Sequence, residues 1–123
     1  MRNNNTSTKF KIAHSSEERL NESRRIRDKY PDRIPIICEK SSYASANCPT
    51  IDKIKYLVPS DLTIGQFIYI IRKRLRLKPE EALYLLVNGF IPTNSAMMYD
   101  IYESYKDEDG FVYFNYCLEN VFG

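Results

Sequence analysis

The sequence predicts an α+β protein in which a sheet packs around one central helix. Residues 53–58 alternate in polarity and are rich in strand formers, and Pro59 ends the run, a pattern typical of a β-strand. Residues 64–75 then carry apolar side chains at helical spacing, as an amphipathic helix does. Further strands and helices are predicted on both sides of this unit in mixed order, as in α+β proteins. We expect the other elements to pack on this strand and helix.

The composition is that of one soluble globular domain. The chain has 123 residues, of which 43% are hydrophobic and 28% charged, and its formal net charge is +2, which does not indicate nucleic-acid binding. No apolar run approaches the roughly 20 residues that cross a bilayer, and residues 1–5 lack the apolar core of a signal peptide. Three cysteines without such a signal indicate reduced thiols in the cytoplasm.

The N-terminal part is predicted to be helical and polar. Residues 1–8 are Asn-rich, and we expect them to form a disordered tip. Residues 9–30 are predicted as a helical segment with a capping box between Ser15 and Glu18. Apolar side chains such as Ile26 are few in it, so this helix should lean on a sheet rather than lie in a core.

The first strand is predicted over residues 33–39, followed by a loop over residues 41–50. Alternation places Ile37 on the face opposite Ile36. Pro35 lies within this strand, and because proline has no amide hydrogen we expect an edge strand.

The central helix has a well-marked start and end. Thr63 and Gln66 have capping-box spacing, and residues 72–74 are basic, which suits the last turn of a helix. Ile70 lies off the main apolar stripe, which favours a second, outward-facing role.

The C-terminal third predicts two more strands and a short helix. Residues 83–87 are almost continuously apolar, as in a strand buried on both faces. Residues 88–89 are Asn-Gly, a tight-turn signal. A short helix follows residues 92–94, residues 106–110 form a charged turn, and residues 111–117 form the final strand.

Several motifs together resemble the autophagy ubiquitin-like modifiers, the family of the GABA-receptor-associated protein and the microtubule-associated light chain three. The matching stretches are residues 29–40, 55–67, 71–74, 87–88, 91–92, 106–111 and 119–123. The resemblance covers residues 9–123, nearly the whole chain. It implies a ubiquitin-like β-grasp fold, a four-stranded mixed sheet around a central helix with an N-terminal helical extension. It further implies a ubiquitin-like domain over residues 31–117 and a flexible conjugation tail over residues 118–123.

The resemblance implies a modifier that is not itself an enzyme. In this family an activating enzyme adenylates the terminal glycine, here Gly123, and conjugating enzymes carry it as a thioester to phosphatidylethanolamine on autophagosomal membranes. A cysteine protease exposes the glycine beforehand and later removes the lipid. The lipidated protein then recruits cargo receptors and adaptors that carry an aromatic-x-x-aliphatic motif. We expect a cytoplasmic protein that joins the autophagosome or another vesicle membrane when lipidated.

The resemblance also implies two motif-binding pockets and two basic positions. The pocket for the aromatic residue would be lined by Glu22, Ile26, Pro35, Ile37, Lys55, Leu57 and Phe111. The pocket for the aliphatic residue would be lined by Tyr56, Val58, Pro59, Leu62, Phe67 and Ile70. Arg33 and Arg74 match positions that meet acidic residues beside the motif. Taken alone, Leu62, Phe67 and Ile70 have spacing that more often indicates an ordinary core.

Two other functions stay open from the residues alone. One is an unconjugated scaffold that binds peptide motifs or the cytoskeleton; the other is an RNA-binding domain based on the basic residues 72–78, which a solvated helix end explains better. We expect no nucleic-acid partner, no metal and no cofactor. His14 is the only histidine and has no cysteine at ligand spacing, and residues 107–110 lack the later ligands of a calcium loop.

Overall fold

The computed structural model describes residues 9–119 as a four-stranded sheet with helices on both faces. The elements are α1 (Lys9–Ala13), α2 (Ser16–Lys29), β1 (Arg33–Lys40), β2 (Lys55–Pro59), α3 (Ile64–Leu75), β3 (Leu83–Val87), α4 (Met98–Tyr105) and β4 (Val112–Leu118). The predicted order of elements is confirmed, except that the N-terminal helical segment consists of two helices, α1 and α2. The predicted tip, residues 1–8, and residues 120–123 of the predicted tail lie outside the described residues. Leu118 pairs with Leu83 in the sheet, so it does not belong to the tail to which the sequence assigned it.

The sheet is mixed and has the strand order β2-β1-β4-β3. β1 pairs with β2 antiparallel and with β4 parallel, and β3 pairs with β4 antiparallel. The strands β2 and β3 therefore form its two edges. No helix within residues 9–119 is both long enough and apolar enough to cross a bilayer.

The prediction that the strand with Pro35 lies at an edge is wrong. β1 is internal, but its pairing with β4 begins only at Ile36, opposite Val112. The Cys38 N–H donates to the Ile54 carbonyl on the β2 side, so by alternation the nitrogen of Pro35 faces the β4 side. Because the β1–β4 pairing begins only at Ile36, Pro35 replaces no residue of the paired register.

The prediction that residues 83–87 are buried on both faces is also wrong. Leu83, Leu85 and Val87 are buried, whereas Tyr84 is 37% exposed and Leu86 is half-buried. β3 is an edge strand, and it carries more apolar side chains than the core under α3 can bury. A short apolar run does not by itself distinguish these two cases.

The main core lies between the sheet and α3. The predicted capping box is present, with the Thr63 side chain accepting from Gln66 N–H and the Gln66 side chain accepting from Thr63 N–H. The helix begins there and buries Ile64, Phe67, Ile71 and Leu75. The Phe67 ring meets the Tyr56 ring edge to face, with centroids 5.6 Å apart, so α3 packs directly on β2.

A second, smaller cluster lies on the opposite face of the sheet, under α1 and α2. Its buried members are Phe10, Ile26, Ile37 and Phe111. We call these four residues the α2 cluster. The predicted capping box of Ser15 and Glu18 is also present. The N-terminal helices therefore rest on the sheet, as the sparse apolar content of the segment predicts.

Asp109 holds the N-terminal helices through a buried polar network. Its carboxylate accepts from Arg19 at 2.5 Å, from the Phe111 N–H at 2.9 Å and from the Tyr113 hydroxyl. Its carbonyl accepts from the buried Ser23 hydroxyl. Desolvation lowers the pKa of Arg19, but the hydrogen bonds with Asp109 and Tyr113 outweigh it and raise the pKa overall. The predicted charged turn is thus also the anchor of α2.

Gly110 makes this anchor possible. Its φ is +90°, and a Cβ at this position would overlap the Ser23 hydroxyl. A residue with a side chain would therefore be strained and would push α2 away from the turn.

Candidate functional site

The β2 edge of the sheet is open within residues 9–119. β2 pairs only with β1, in a register that places Tyr56 opposite Ile36 and Leu57 opposite Pro35. Because Cys38 N–H donates to Ile54 O, the antiparallel alternation makes Ile36 and Tyr56 a hydrogen-bonded pair. The N–H and C=O groups of Lys55 and Leu57 consequently point away from β1. No hydrogen bond within the described part of the chain uses them.

The side chains of β2 alternate between the two faces of the sheet. Tyr56 and Val58 belong to the α3 core, whereas Lys55 and Leu57 lie on the α2 side. An extended chain laid against this edge would likewise direct alternate side chains to the α2 side and to the α3 side.

The structure brings the predicted aromatic pocket together on the α2 side. Ile26, Ile37 and Phe111 are members of the α2 cluster. Leu57 is the open apolar surface of this region, at 40% exposure. The other residues predicted for the aromatic pocket are the buried Pro35 and the partly exposed Glu22 and Lys55. The site thus has a buried apolar base and an accessible apolar wall on β2.

An ion pair lies beside this region. Lys55 of β2 donates to the Glu22 carboxylate of α2, and its ammonium is 5.9 Å from the centre of the Phe10 ring. The pair connects the two elements that flank the α2 cluster. Its Lys55 side chain is 42% exposed, so the pair contributes little to stability.

Phe10 is a member of the α2 cluster that sequence reasoning missed. It is 4% exposed, and its ring contacts Phe111 edge to face at 5.2 Å. Its N–H donates to the Glu39 carboxylate at 3.1 Å. The available signal was that Phe10 is the only phenylalanine or tyrosine before Tyr30.

The predicted aliphatic pocket divides into buried and accessible residues. Tyr56, Val58 and Phe67 are at most 6% exposed and belong to the main core. Burial raises the pKa of the Tyr56 hydroxyl, which donates to the Lys53 carbonyl. Pro59 and Leu62 are half-buried, and Ile70 is 36% exposed. The accessible surface therefore consists of Pro59, Leu62 and Ile70, with the core behind it.

The two predicted basic positions differ in their surroundings. Arg33 is half-buried and lies opposite Pro59 in the sheet register. Arg74, in the last turn of α3, donates from Nε to the Asp52 carboxylate at 2.9 Å. They lie toward opposite ends of β2.

The other residues that could suggest a chemical function have structural roles in the described part of the chain. Burial raises the pKa of the Cys38 thiol, which keeps it protonated and unreactive. Arg72 donates to the Glu81 and Lys78 carbonyls at 2.5 and 2.8 Å, so it fastens α3 to the connection before β3. Within residues 9–119, no group of three or more His, Cys, Asp or Glu side chains could hold a metal ion.

Gly123, the predicted site of conjugation, lies outside the described residues. The last described contact before it is the Glu119 N–H, which donates to the Ala82 carbonyl at 2.9 Å.

Comparisons with known proteins agree with this fold and extend over nearly the whole chain. Residues 18–123 match the family model described as autophagy protein Atg8 ubiquitin like. The chain is 58% identical to autophagy-related protein 8 of Mycosarcoma maydis over 114 residues, which cover 93% of this chain and 95% of the relative. It is 54% identical to that of Neosartorya fischeri over 116 residues, 94% of this chain and 97% of the relative.

A solved structure agrees as well. The crystal structure of Trypanosoma brucei ATG8 superposes with a TM-score of 0.87 at 45% identity, covering 96% of this chain and 100% of that one. Both the predicted ubiquitin-like fold and the predicted family are thereby confirmed. The chain belongs to the Atg8 family of autophagy ubiquitin-like proteins.

Proposed function

We propose that this protein is a membrane-conjugated adaptor that binds extended peptides along β2. The bound motif is aromatic-x-x-aliphatic and is carried by cargo receptors and adaptors. The coupling site is Gly123, which is joined to phosphatidylethanolamine on autophagosomal membranes. The protein itself performs no catalysis; activating and conjugating enzymes attach the lipid and a cysteine protease removes it.

The observation that carries the proposal is the open edge of β2. An extended peptide added to this edge receives main-chain hydrogen bonds from the N–H and C=O groups of Lys55 and Leu57. These groups have no partner within residues 9–119. Pro59 limits the usable edge, because it has no N–H to donate. The exposed N–H and C=O groups of Lys55 and Leu57 can pair with a short motif, but not with a long strand.

The accessible side chains support a motif with two apolar anchors. On the α2 side, Leu57 is an exposed apolar side chain with the buried α2 cluster behind it, and we infer that the aromatic ring packs there. On the α3 side, Ile70 is exposed and Leu62 is half-buried, and we infer that the aliphatic side chain packs there. Neighbouring side chains of a strand point to opposite faces. The two anchor residues must therefore be an odd number of positions apart in the peptide. A spacing of three, as in aromatic-x-x-aliphatic, satisfies that condition.

Family membership supports conjugation at Gly123. In the proposed reaction the glycine carboxylate attacks the α-phosphate of ATP and releases pyrophosphate. A cysteine thiolate then displaces AMP to give a thioester, and the lipid amine displaces the thiol to give an amide. Two acyl chains arrive with one bond, which suffices for stable membrane attachment where a single chain does not.

Replacing Leu57 or Ile70 by alanine is expected to weaken binding of a motif peptide by more than about 1 kcal/mol each, as truncation of an interface anchor commonly does. Both side chains are exposed in the free protein, so their removal leaves the core intact. Phe67 is less suitable for this test, because it is fully buried and its truncation would alter the fold. The measurement is a calorimetric titration with a peptide that contains one motif.

The matched control is Tyr84→Ala. Tyr84 is 37% exposed, similar to Leu57 and Ile70, but lies in β3 at the opposite edge of the sheet. Its replacement should leave the affinity within about twofold of the wild type. Unchanged affinity in both Leu57→Ala and Ile70→Ala would contradict the proposed site.

A further inference from the structure

The ion pair between Asp52 and Arg74 lies at one end of the candidate groove. Arg74 Nε donates to Asp52 Oδ1 at 2.9 Å. Arg74 follows Ile70 by four residues on α3, and residues at that spacing are neighbours on one helix face. Asp52 lies three residues before the first residue of β2. The pair therefore joins the segment that leads into the open edge to the helix face that borders it.

Only part of the Arg74 guanidinium is used in this pair. Its Nη groups make no hydrogen bond within residues 9–119, and its side chain is 41% exposed. The Asp52 side chain is 74% exposed. The hydrogen bond from Arg74 lowers the pKa of Asp52, so the carboxylate is ionised at neutral pH. An incoming carboxylate that approaches Arg74 would meet a carboxylate already bound there.

We propose that Asp52 is a specificity-determining residue that competes with acidic residues beside the peptide motif for Arg74. This inference rests on the proposed function. An acidic ligand residue must either displace Asp52, exchanging one ion pair for another, or share the guanidinium with a like charge. Both routes reduce the gain from the acidic residue, and a repulsive element of this kind sets selectivity. The apolar anchors Leu57 and Ile70 carry no charge, so we expect their contacts with the peptide to be unaffected.

The magnitude of the effect is modest because the pair is exposed. Exposed ion pairs contribute little, and salt screens them with a range of about 8 Å at physiological ionic strength. We expect a change of affinity of about threefold to fivefold at low salt, in line with the upper strength of exposed pairs. This change of affinity should become smaller at high salt, because salt screens the charges. A change of affinity caused by a purely structural role of Asp52 would not depend on salt in this way.

The experiment compares Asp52→Asn with the wild type by calorimetric titration at low and high salt. Three synthetic motif peptides are used: one with neutral flanks, one with a glutamate before the motif and one with a glutamate after it. Asp52→Asn should tighten binding of at least one acidic peptide about threefold to fivefold at low salt, as expected for an exposed charge contact. The neutral peptide should bind equally to both proteins. In an Arg74→Gln background the gain should fall below about twofold, because neither carboxylate then has the cation to compete for.

The control variant is Glu103→Gln, which makes the same change of net charge at an exposed position of α4 and should change none of the affinities. Unchanged or weaker binding of both acidic peptides to Asp52→Asn, with normal binding of the neutral peptide, would overturn this inference alone. Failure of the neutral peptide to bind the wild type would overturn the proposed function and this inference with it.

Discussion

Replacing Asp109 by alanine is expected to lower the free energy of unfolding by about 3–5 kcal/mol, the usual result of removing one partner of a buried ion pair. The Asp109 side chain is 3% exposed and that of Arg19 is 12% exposed. The change leaves the Arg19 cation buried without its partner and removes the acceptor of the Phe111 N–H. Denaturant unfolding followed by circular dichroism measures the difference.

Two variants sharpen this prediction. Glu108→Ala changes an exposed carboxylate in the same turn and should shift stability by no more than about 0.5 kcal/mol. Adding Arg19→Met to Asp109→Ala should recover part of the loss, because it removes the uncompensated cation. An Asp109→Ala variant as stable as the wild type would show that the buried network does not hold the N-terminal helices.

Replacing Gly123 by alanine is expected to abolish lipid conjugation. Glycine has no side chain beside its carboxylate, so it can enter a narrow channel and react unhindered, whereas alanine places a methyl group next to the reacting carbon. The wild type, incubated with activating and conjugating enzymes, ATP and phosphatidylethanolamine vesicles, should yield a conjugate one lipid heavier, less one water. Mass spectrometry of the C-terminal peptide measures it.

Gly65→Ala is the control for this change. Gly65 lies in α3, and a Cβ there would be 3.4 Å from the nearest atoms of Asn94, so the variant should fold and conjugate as the wild type does. Conjugation of the Gly123→Ala variant would contradict the assignment of Gly123. A wild type that is never conjugated but still binds motif peptides would favour the unconjugated scaffold.

Local features of the fold could be predicted from the sequence because their causes lie within a few residues. The two capping boxes join residues three apart, and the Asn88-Gly89 turn has positive φ at both residues. The stripe of α3 and the exposure of Ile70 follow from helical spacing alone. The family motifs supplied the ubiquitin-like fold, which these local features do not contain.

The remaining features depend on contacts between distant parts of the chain. The position of β1 inside the sheet depends on β4, whose paired residues lie 76 positions later in the chain (Ile36 opposite Val112), so the edge expected from Pro35 was wrong. Asp109 looked like part of a solvated turn, yet its partners Arg19 and Ser23 are 90 and 86 residues away. Phe10 is a lone aromatic in a polar segment, and only the folded sheet offers it a surface to pack on.

In the candidate site, too, some features follow from the sequence and others depend on contacts between distant residues. The predicted pocket residues do lie on the two faces beside β2, but burial separates those that form the core, such as Phe67, from those that a ligand can contact, such as Leu57 and Ile70. That distinction requires the packed structure. The sequence did not single out Asp52, because its ion-pair partner Arg74 is 22 residues away.

Amide hydrogen exchange with and without a motif peptide tests the central claim most directly. The Lys55 and Leu57 amides point to the open β2 edge, whereas the Leu85 amide points to the opposite edge, beyond β3. We predict that the peptide slows exchange at Lys55 and Leu57, because it adds hydrogen bonds there, and leaves Leu85 unchanged. Slowed exchange at Leu85, with Lys55 and Leu57 unaffected, would contradict binding along β2.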